Sequence, residues 1–293
     1  MAELEIRSAR GAVLAATYSP AGETAIVALH SANEGTRRSR VYRHLHELLP
    51  PAGIGVVTFD RRGEGNSTGE PSRGRFQVQV EDALAVVGAL DVTRIGLWGL
   101  SQGAWIGPLA AVASAEVAFL VLVASTGVTP SAQMMYAVGC QLRLAGHGSV
   151  VDDVLDLRRR FEAWVHVPDP DGARALASEL RSASDTAWWP HAWLPDDLPD
   201  AEGRRRWIEE MDFDPVPAFA GVTVPTLLIY GAADSWTPVA PSVAAWRAAC
   251  AGDIEIVVIP DAEHDLTLPG GGLSDVYARK LVAWLSGRSG RTP

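Results

Sequence analysis

Short apolar runs alternate with helical patterns along this chain. Ala25–Leu29, Ile54–Asp60, Arg94–Trp98 and Val117–Ser125 have strand length and end in turn residues, while Arg40–Leu49, Phe76–Leu90 and Gln102–Ala113 between them carry helical patterns. A strand that is apolar on both faces must be covered on both. The alternation therefore predicts an α/β fold with a mostly parallel central sheet and helices on its two faces. Glu3–Ser8 and Val13–Tyr18 read as an opening hairpin. The pattern stops at Ser125 and resumes with Thr226–Tyr230, a helix near Pro241–Ala251, the strand Ile254–Ile259 and a helix around Leu273–Leu285. One sheet is thus interrupted, with a core of residues 1–126 and 222–293 and an insertion at 127–221.

The insertion has a different character. Val151–Trp164 and Ala173–Arg181 read as helices, and Val167–Gly172 and Trp188–Asp200 are rich in proline and aspartate, which describes a helical cap with exposed loops. Trp164, Trp188, Trp189, Trp193 and Trp207 fall here, with Met134, Met135 and Met211. Such side chains can build the core of a small cap or face a substrate, and apolar content alone does not separate the two. No internal repeat or low-complexity tract occurs, and the tail Gly287–Pro293 is expected to be disordered.

Composition narrows the class. With 47% apolar residues the chain can bury a sizeable core without covalent staples, and Cys140 and Cys250, far apart in sequence, are expected to be free thiols. Met1–Arg10 lacks the apolar stretch of a secretory signal, so a cytoplasmic location is expected. Pro108 and Glu116 interrupt Gly103–Ala124, which reads as a buried helix followed by a buried strand and not as a membrane span. A formal net charge of −10 works against a phosphate-rich partner, and Arg204-Arg205-Arg206 is short and flanked by acids, so no nucleic-acid partner is expected. Lys280 is the only lysine, a bias we assign to genomic composition.

The candidate chemistry begins at Gly99-Leu100-Ser101-Gln102-Gly103. The string G-x-S-x-G is short enough to arise by chance, but here a strand precedes it and a helix follows. Ser101 then sits on a tight strand-to-helix turn in an unfavourable backbone region, with room supplied by Gly99, Gly103 and Ala104. The helix that starts at Gln102 aims N–H groups at the place where an oxyanion would form. Asp234 follows the strand Thr226–Tyr230 and His264 follows Ile254–Ile259, so both fall beyond the carboxyl ends of strands, the edge where sites form in open α/β sheets. A serine hydroxyl needs a base, and the base needs an orienting acid. The order serine, acid, histidine accordingly reads as an acyl-transfer apparatus. Taken singly, Asp234 could be a turn or cap residue and His264 a surface histidine. Asp261, Glu263 and Asp265 are alternative acids whose closeness in sequence gives poor geometry for orienting the ring.

With these residues in place the chain resembles the α/β-hydrolase superfamily, in detail the branch of serine aminopeptidases, monoacylglycerol lipases and related acyl esterases. Leu29-His30-Ser31-Ala32 is similar to that family's oxyanion loop, with Ser31 where glycine is usual, and Phe59-Asp60-Arg61-Arg62-Gly63-Glu64-Gly65-Asn66-Ser67 is similar to its Asp-x-x-Gly-x-Gly-x-Ser turn. The resemblance implies an oxyanion hole made by the backbone N–H groups of Ala32 and Gln102. It also implies hydrolysis of a carboxylic ester or thioester, a small-molecule acyl substrate, through an acyl-enzyme without a cofactor. Aminopeptidase or amidase, C–C bond hydrolase and acyltransferase or cyclase activities use the same triad, and a non-catalytic ligand-binding member is a further alternative. A cap carboxylate such as Glu162 or Glu209 facing Ser101 would favour the aminopeptidase. Trp105 and Trp236, beside the nucleophile and the acid in sequence, are candidates to line the acyl or alcohol pocket.

Other signals are discounted. Gly63-Glu64-Gly65-Asn66-Ser67-Thr68-Gly69 is out of register for a dinucleotide fingerprint and reads as a turn. His44 and His46 lie two apart on a helix, pointing about 200° apart, and neither HExxH nor paired CxxC occurs, so no metal is expected. His30 is expected to pack or hydrogen-bond beside the oxyanion loop, and Arg61 and Arg62 to pair with Glu64 or Glu70.

Overall fold

A computed structural model of the chain describes residues 1–288. Eight strands form one sheet: β1 (Ala2–Arg7), β2 (Val13–Ser19), β3 (Thr24–Leu29), β4 (Ile54–Phe59), β5 (Arg94–Leu100), β6 (Val117–Val123), β7 (Thr226–Gly231) and β8 (Ile254–Ile259). The spatial order is β1-β2-β4-β3-β5-β6-β7-β8. β1 and β2 form the opening hairpin, in register from Ala2 against Tyr18 to Arg7 against Val13, and β2 runs antiparallel to β4. All other neighbours are parallel. β3, β4 and β7 are buried at every residue, as strands covered on both faces must be.

Contacts divide the chain into two compact units. The first comprises Met1–Gly127, Pro215–Asp234 and the chain from Val239 onward, and it holds the whole sheet. Its helices are α1 (Arg40–Leu48), α2 (Phe76–Gly88) and α3 (Gly103–Ala113), which follow β3, β4 and β5. The segments α4 (Pro130–Leu144), α5 (Val151–His166), α6 (Pro170–Ser184) and α7 (Ala201–Met211) come next in the chain, and α8 (Val216–Gly221), α9 (Val239–Ala249) and α10 (Asp275–Ser286) complete it. Trp98, Phe119, Tyr277 and Trp284 anchor a continuous core against Ile26, Ile54, Leu227 and Ile259. Trp98 donates its indole N–H to Tyr277 Oη at 3.0 Å, and Tyr277 Oη lies 2.8 Å from His44 Nε2.

The second unit is Val128–Asp214 together with Ser235–Pro238. Its core is Val138, Leu142, Val154, Leu157, Phe161, Val165, Leu176 and Leu180, and Met134, Trp164, Trp188, Trp189 and Trp207 pack around it. Four of the inserted tryptophans thus cover this small core, whereas Trp193 is 43% exposed. Two helices here have no counterpart in the sequence reading. α4 is mixed in polarity and carries Gly139 in its interior, yet Thr129 caps it and Pro130 occupies its first turn. α7 buries no residue fully, so its apolar face is weak. α8, within the range expected for the insertion, belongs to the first unit.

Cys140 and Cys250 are free thiols. Of the tail expected to be disordered, residues 289–293 lie outside the described residues. Among those described, no helix is long and apolar enough to cross a membrane.

Candidate active site

Ser101 follows β5 directly and has φ +56°, a left-handed conformation that costs a residue with a Cβ energy. The turn is held where it is needed: Ser101 N–H donates to Val123 O at 3.0 Å and Ala104 N–H to Ser101 O at 2.9 Å. A Cβ on Gly99 would lie 2.3 Å from Gly103 O and 2.8 Å from Ala104 N, so only glycine allows strand and helix to approach this closely. A Cβ on Gly103 would press on the carbonyl oxygens of Leu29 and His30 at 3.0 and 3.1 Å. The elbow therefore touches the start of the loop after β3.

His264 and Asp234 meet. The imidazole Nδ1 lies 2.9 and 3.1 Å from the two carboxylate oxygens of Asp234, which is 3% exposed. Their loops are tied by backbone: Ala232 N–H donates to Ile259 O and Ala233 N–H to Ala262 O, both at 2.9 Å. Gly231 is a residue the sequence reading did not single out as functional. A Cβ there would lie 2.2 Å from Ala262 O and 2.3 Å from Glu263 O, directly before His264. Asp265, one of the alternative acids, instead binds its own turn through Thr267 N–H at 3.1 Å and Thr267 Oγ at 2.6 Å.

The loop after β3 is anchored from below. His30 donates from Nε2 to Phe59 O at 2.7 Å and sets its ring edge-on to Phe59. Burial, reinforced by the nearby Arg61 charge, pushes its pKa down to about 3, so it is neutral and its proton is held in this bond. Arg61, 1% exposed, bonds Ser31 O at 2.5 Å and pairs with Glu64 at 2.8 Å. Arg62 differs from expectation: its partner is Asp82 on α2, at 2.5 Å, and not Glu64 or Glu70. Both members are buried, and a pairing across the chain between a turn and a helix has no signature in local sequence. Asp60 accepts from the N–H groups of Arg37 at 2.7 Å and Asn66 at 2.8 Å, and it also pairs with the Arg37 guanidinium. A Cβ on Gly65 would strike that carboxylate at 2.4 Å, which explains a glycine in this turn.

Gln102, the N-cap residue of α3, is 3% exposed and accepts from Gln79 Nε2 at 3.2 Å. Trp105 is 5% exposed, its indole N–H donated to Thr126 O at 2.7 Å and its ring tilted against Phe76. Trp236 lies in the second unit, edge-on to Trp193 with ring centroids 5.2 Å apart. There Glu162 is engaged by Arg158 at 3.0 Å and by Ser131 at 2.5 Å. His44 and His46 also part company: His44 meets Tyr277, while His46 meets Ser19 and Thr58.

A mostly parallel sheet with a serine elbow at one strand end, and an imidazole–carboxylate pair beyond two others, is the arrangement of an α/β-hydrolase. The profile of the Alpha/beta hydrolase family matches residues 26–271, more than half of the sequence, and the chain belongs to that family. Solved structures similar to it include proline iminopeptidase from Mycobacterium smegmatis, 19% identical over 98% of each chain with TM-score 0.64. An esterase from Exiguobacterium antarcticum is 16% identical over 97% of this chain and 99% of that one, with TM-score 0.63. Epoxide Hydrolase A from Mycobacterium thermoresistibile is 19% identical over 98% of each chain, with TM-score 0.60. At these identities the likeness is one of fold. A curated Escherichia coli protein, "Uncharacterized 31.7 kDa protein in traX-finO intergenic region", is 43% identical over 58 residues, 18% of this chain; the chain spans about a fifth (20%) of that relative's length.

Proposed function

We propose that this hydrolase cleaves a carboxylic ester or thioester of a small-molecule acyl substrate through an acyl-enzyme formed on Ser101. The observation that carries the reading is the contact of His264 Nδ1 with both oxygens of Asp234, at 2.9 and 3.1 Å, on a sheet edge shared with the left-handed Ser101. Asp234 fixes the tautomer with the proton on Nδ1, which leaves Nε2 as the base. Ser101 Oγ attacks the carbonyl carbon while His264 takes its proton. The carbonyl electron pair moves onto oxygen, where the N–H groups of Gln102 and Ala32 receive it. Collapse expels the alcohol or thiol, protonated by His264, and water repeats the sequence to release the acid.

Of the two cap carboxylates that would favour an aminopeptidase, Glu162 is engaged by Arg158 and Ser131 and Glu209 is exposed, so an aminoacyl anilide is the substrate that separates the two readings. Trp105 and Trp236 belong to the proposal as substrate contacts on their sequence positions alone. A series of p-nitrophenyl esters of increasing acyl length, assayed beside an aminoacyl anilide and an acyl-CoA, tests the reading. Turnover of an ester or the thioester exceeding that of the anilide is expected; anilide turnover alone, or none at all, would replace it.

A further inference from the structure

We infer that Arg61 is a positioning residue for the oxyanion hole, acting through the peptide that joins Ser31 to Ala32. The inference rests on the proposed reaction, because it assigns a task to the Ala32 N–H. A trans peptide is planar, and its C=O and N–H point in opposite directions. Whatever grips Ser31 O therefore also aims Ala32 N–H. Arg61 supplies that grip with Nη2 at 2.5 Å, and both terminal nitrogens reach Ala32 O at 3.4 and 3.5 Å.

The cost of placing Arg61 here argues for a task beyond packing. The side chain is 1% exposed, and its Nε has no hydrogen-bond partner among the described residues. A buried guanidinium with an unmatched N–H is unfavourable, and an apolar residue of similar volume would fill the space more cheaply. Its remaining donors converge on this one loop and on Glu64, at 2.8 Å. The surroundings hold the fork still: Arg61 N–H donates to Gly35 O at 2.6 Å, and a Cβ on Gly35 would collide with the Glu64 carboxylate at 2.0 Å. Glycine at 35 thus leaves the place Glu64 occupies. A cation bonded to Ser31 O also draws electron density through the peptide, which makes Ala32 N–H a stronger donor.

Arg61→Lys retains the charge but loses the planar fork. Its test compares kcat and KM on the best p-nitrophenyl ester with binding of an alkyl trifluoromethyl ketone of matching length and of the corresponding alcohol. The ketone accepts Ser101 Oγ at its carbonyl carbon, the proton passes to His264, and the carbonyl pair becomes an oxyanion; the alcohol forms no such adduct. In the folded variant kcat and ketone affinity should each fall about tenfold, while KM and alcohol affinity stay within about twofold. Retention of all four within twofold, or a parallel loss of alcohol affinity, would overturn the inference. Should Arg61→Lys fail to fold, Glu64→Ala, which removes the acceptor on one side of the fork, is read by the same four numbers: a several-fold loss confined to kcat and ketone binding supports the assignment, and no change removes it. A wild-type protein that hydrolyses no acyl substrate takes down the proposed function and this inference together, whereas an active wild type with an indifferent variant takes down this inference alone.

Discussion

Asp234 sits where its removal should be felt in rate and not in fold. Its carboxylate is buried against His264, and Asp234→Asn keeps the shape while inviting the wrong imidazole tautomer. We expect kcat on a p-nitrophenyl ester to fall by about 10⁴ with the thermal midpoint nearly unchanged; a rate within tenfold of wild type would assign the orienting role elsewhere. The positions of residues 101, 234 and 264 beyond strand ends were legible in the sequence because each follows an apolar run. The partner of Arg62 was not, since Asp82 lies on the next helix and nothing local links the two. The unusual environment of Arg61 was equally hidden: Glu64 was a readable neighbour, but the bond to Ser31 O depends on how two loops fold together.

At the scale of elements, Gly99 and Gly231 fix how β5 and β7 meet the segments packed against their ends. Gly231 closes β7 beneath Ala262 and Glu263, so Gly231→Ala should push the histidine loop away from Asp234. A loss of at least a hundredfold in kcat/KM is expected, with a destabilisation on the order of 2 kcal/mol measured by urea unfolding; full activity would show that the loop yields without moving His264. The parallel strands were readable as apolar runs, and the opening hairpin by its alternation. α4 and α7 were not: one is interrupted by Gly139, and the other is dominated by charged side chains with few apolar positions beyond Trp207, Ile208 and Met211, so the apolar signal of each is thin. Tertiary packing and end caps stabilise them instead, through Thr129 and Asp200.

For the whole molecule, buried neutral histidines tie stability to pH. His30 is pushed down to about 3 and His44 to about 4, in both cases first by burial. Their folded values lie below that of an unfolded histidine, so the unfolded chain binds more protons as pH drops below about 6.5. The stability they confer is complete above that pH and is lost progressively toward pH 3–4, the range of the folded values. His30 and His44 should therefore together take up about two protons when urea unfolds the chain at pH 5.5, with His46, also held down by burial, adding to that uptake, and His44→Gln should remove about one of them; a stability flat between pH 7 and 5.5 would mean that these rings are protonated in the folded state. The proposed triad also belongs to this scale, because residues 101, 234 and 264 come from separate stretches of chain and can act together only once the sheet has formed. The most direct measurement is labelling of the native protein with a fluorophosphonate, followed by mapping of the modified peptide. A single adduct on Ser101 is expected, abolished in Ser101→Ala and in urea-unfolded wild type; an adduct on another residue, or undiminished labelling of Ser101→Ala, would contradict the assignment of Ser101 as the nucleophile.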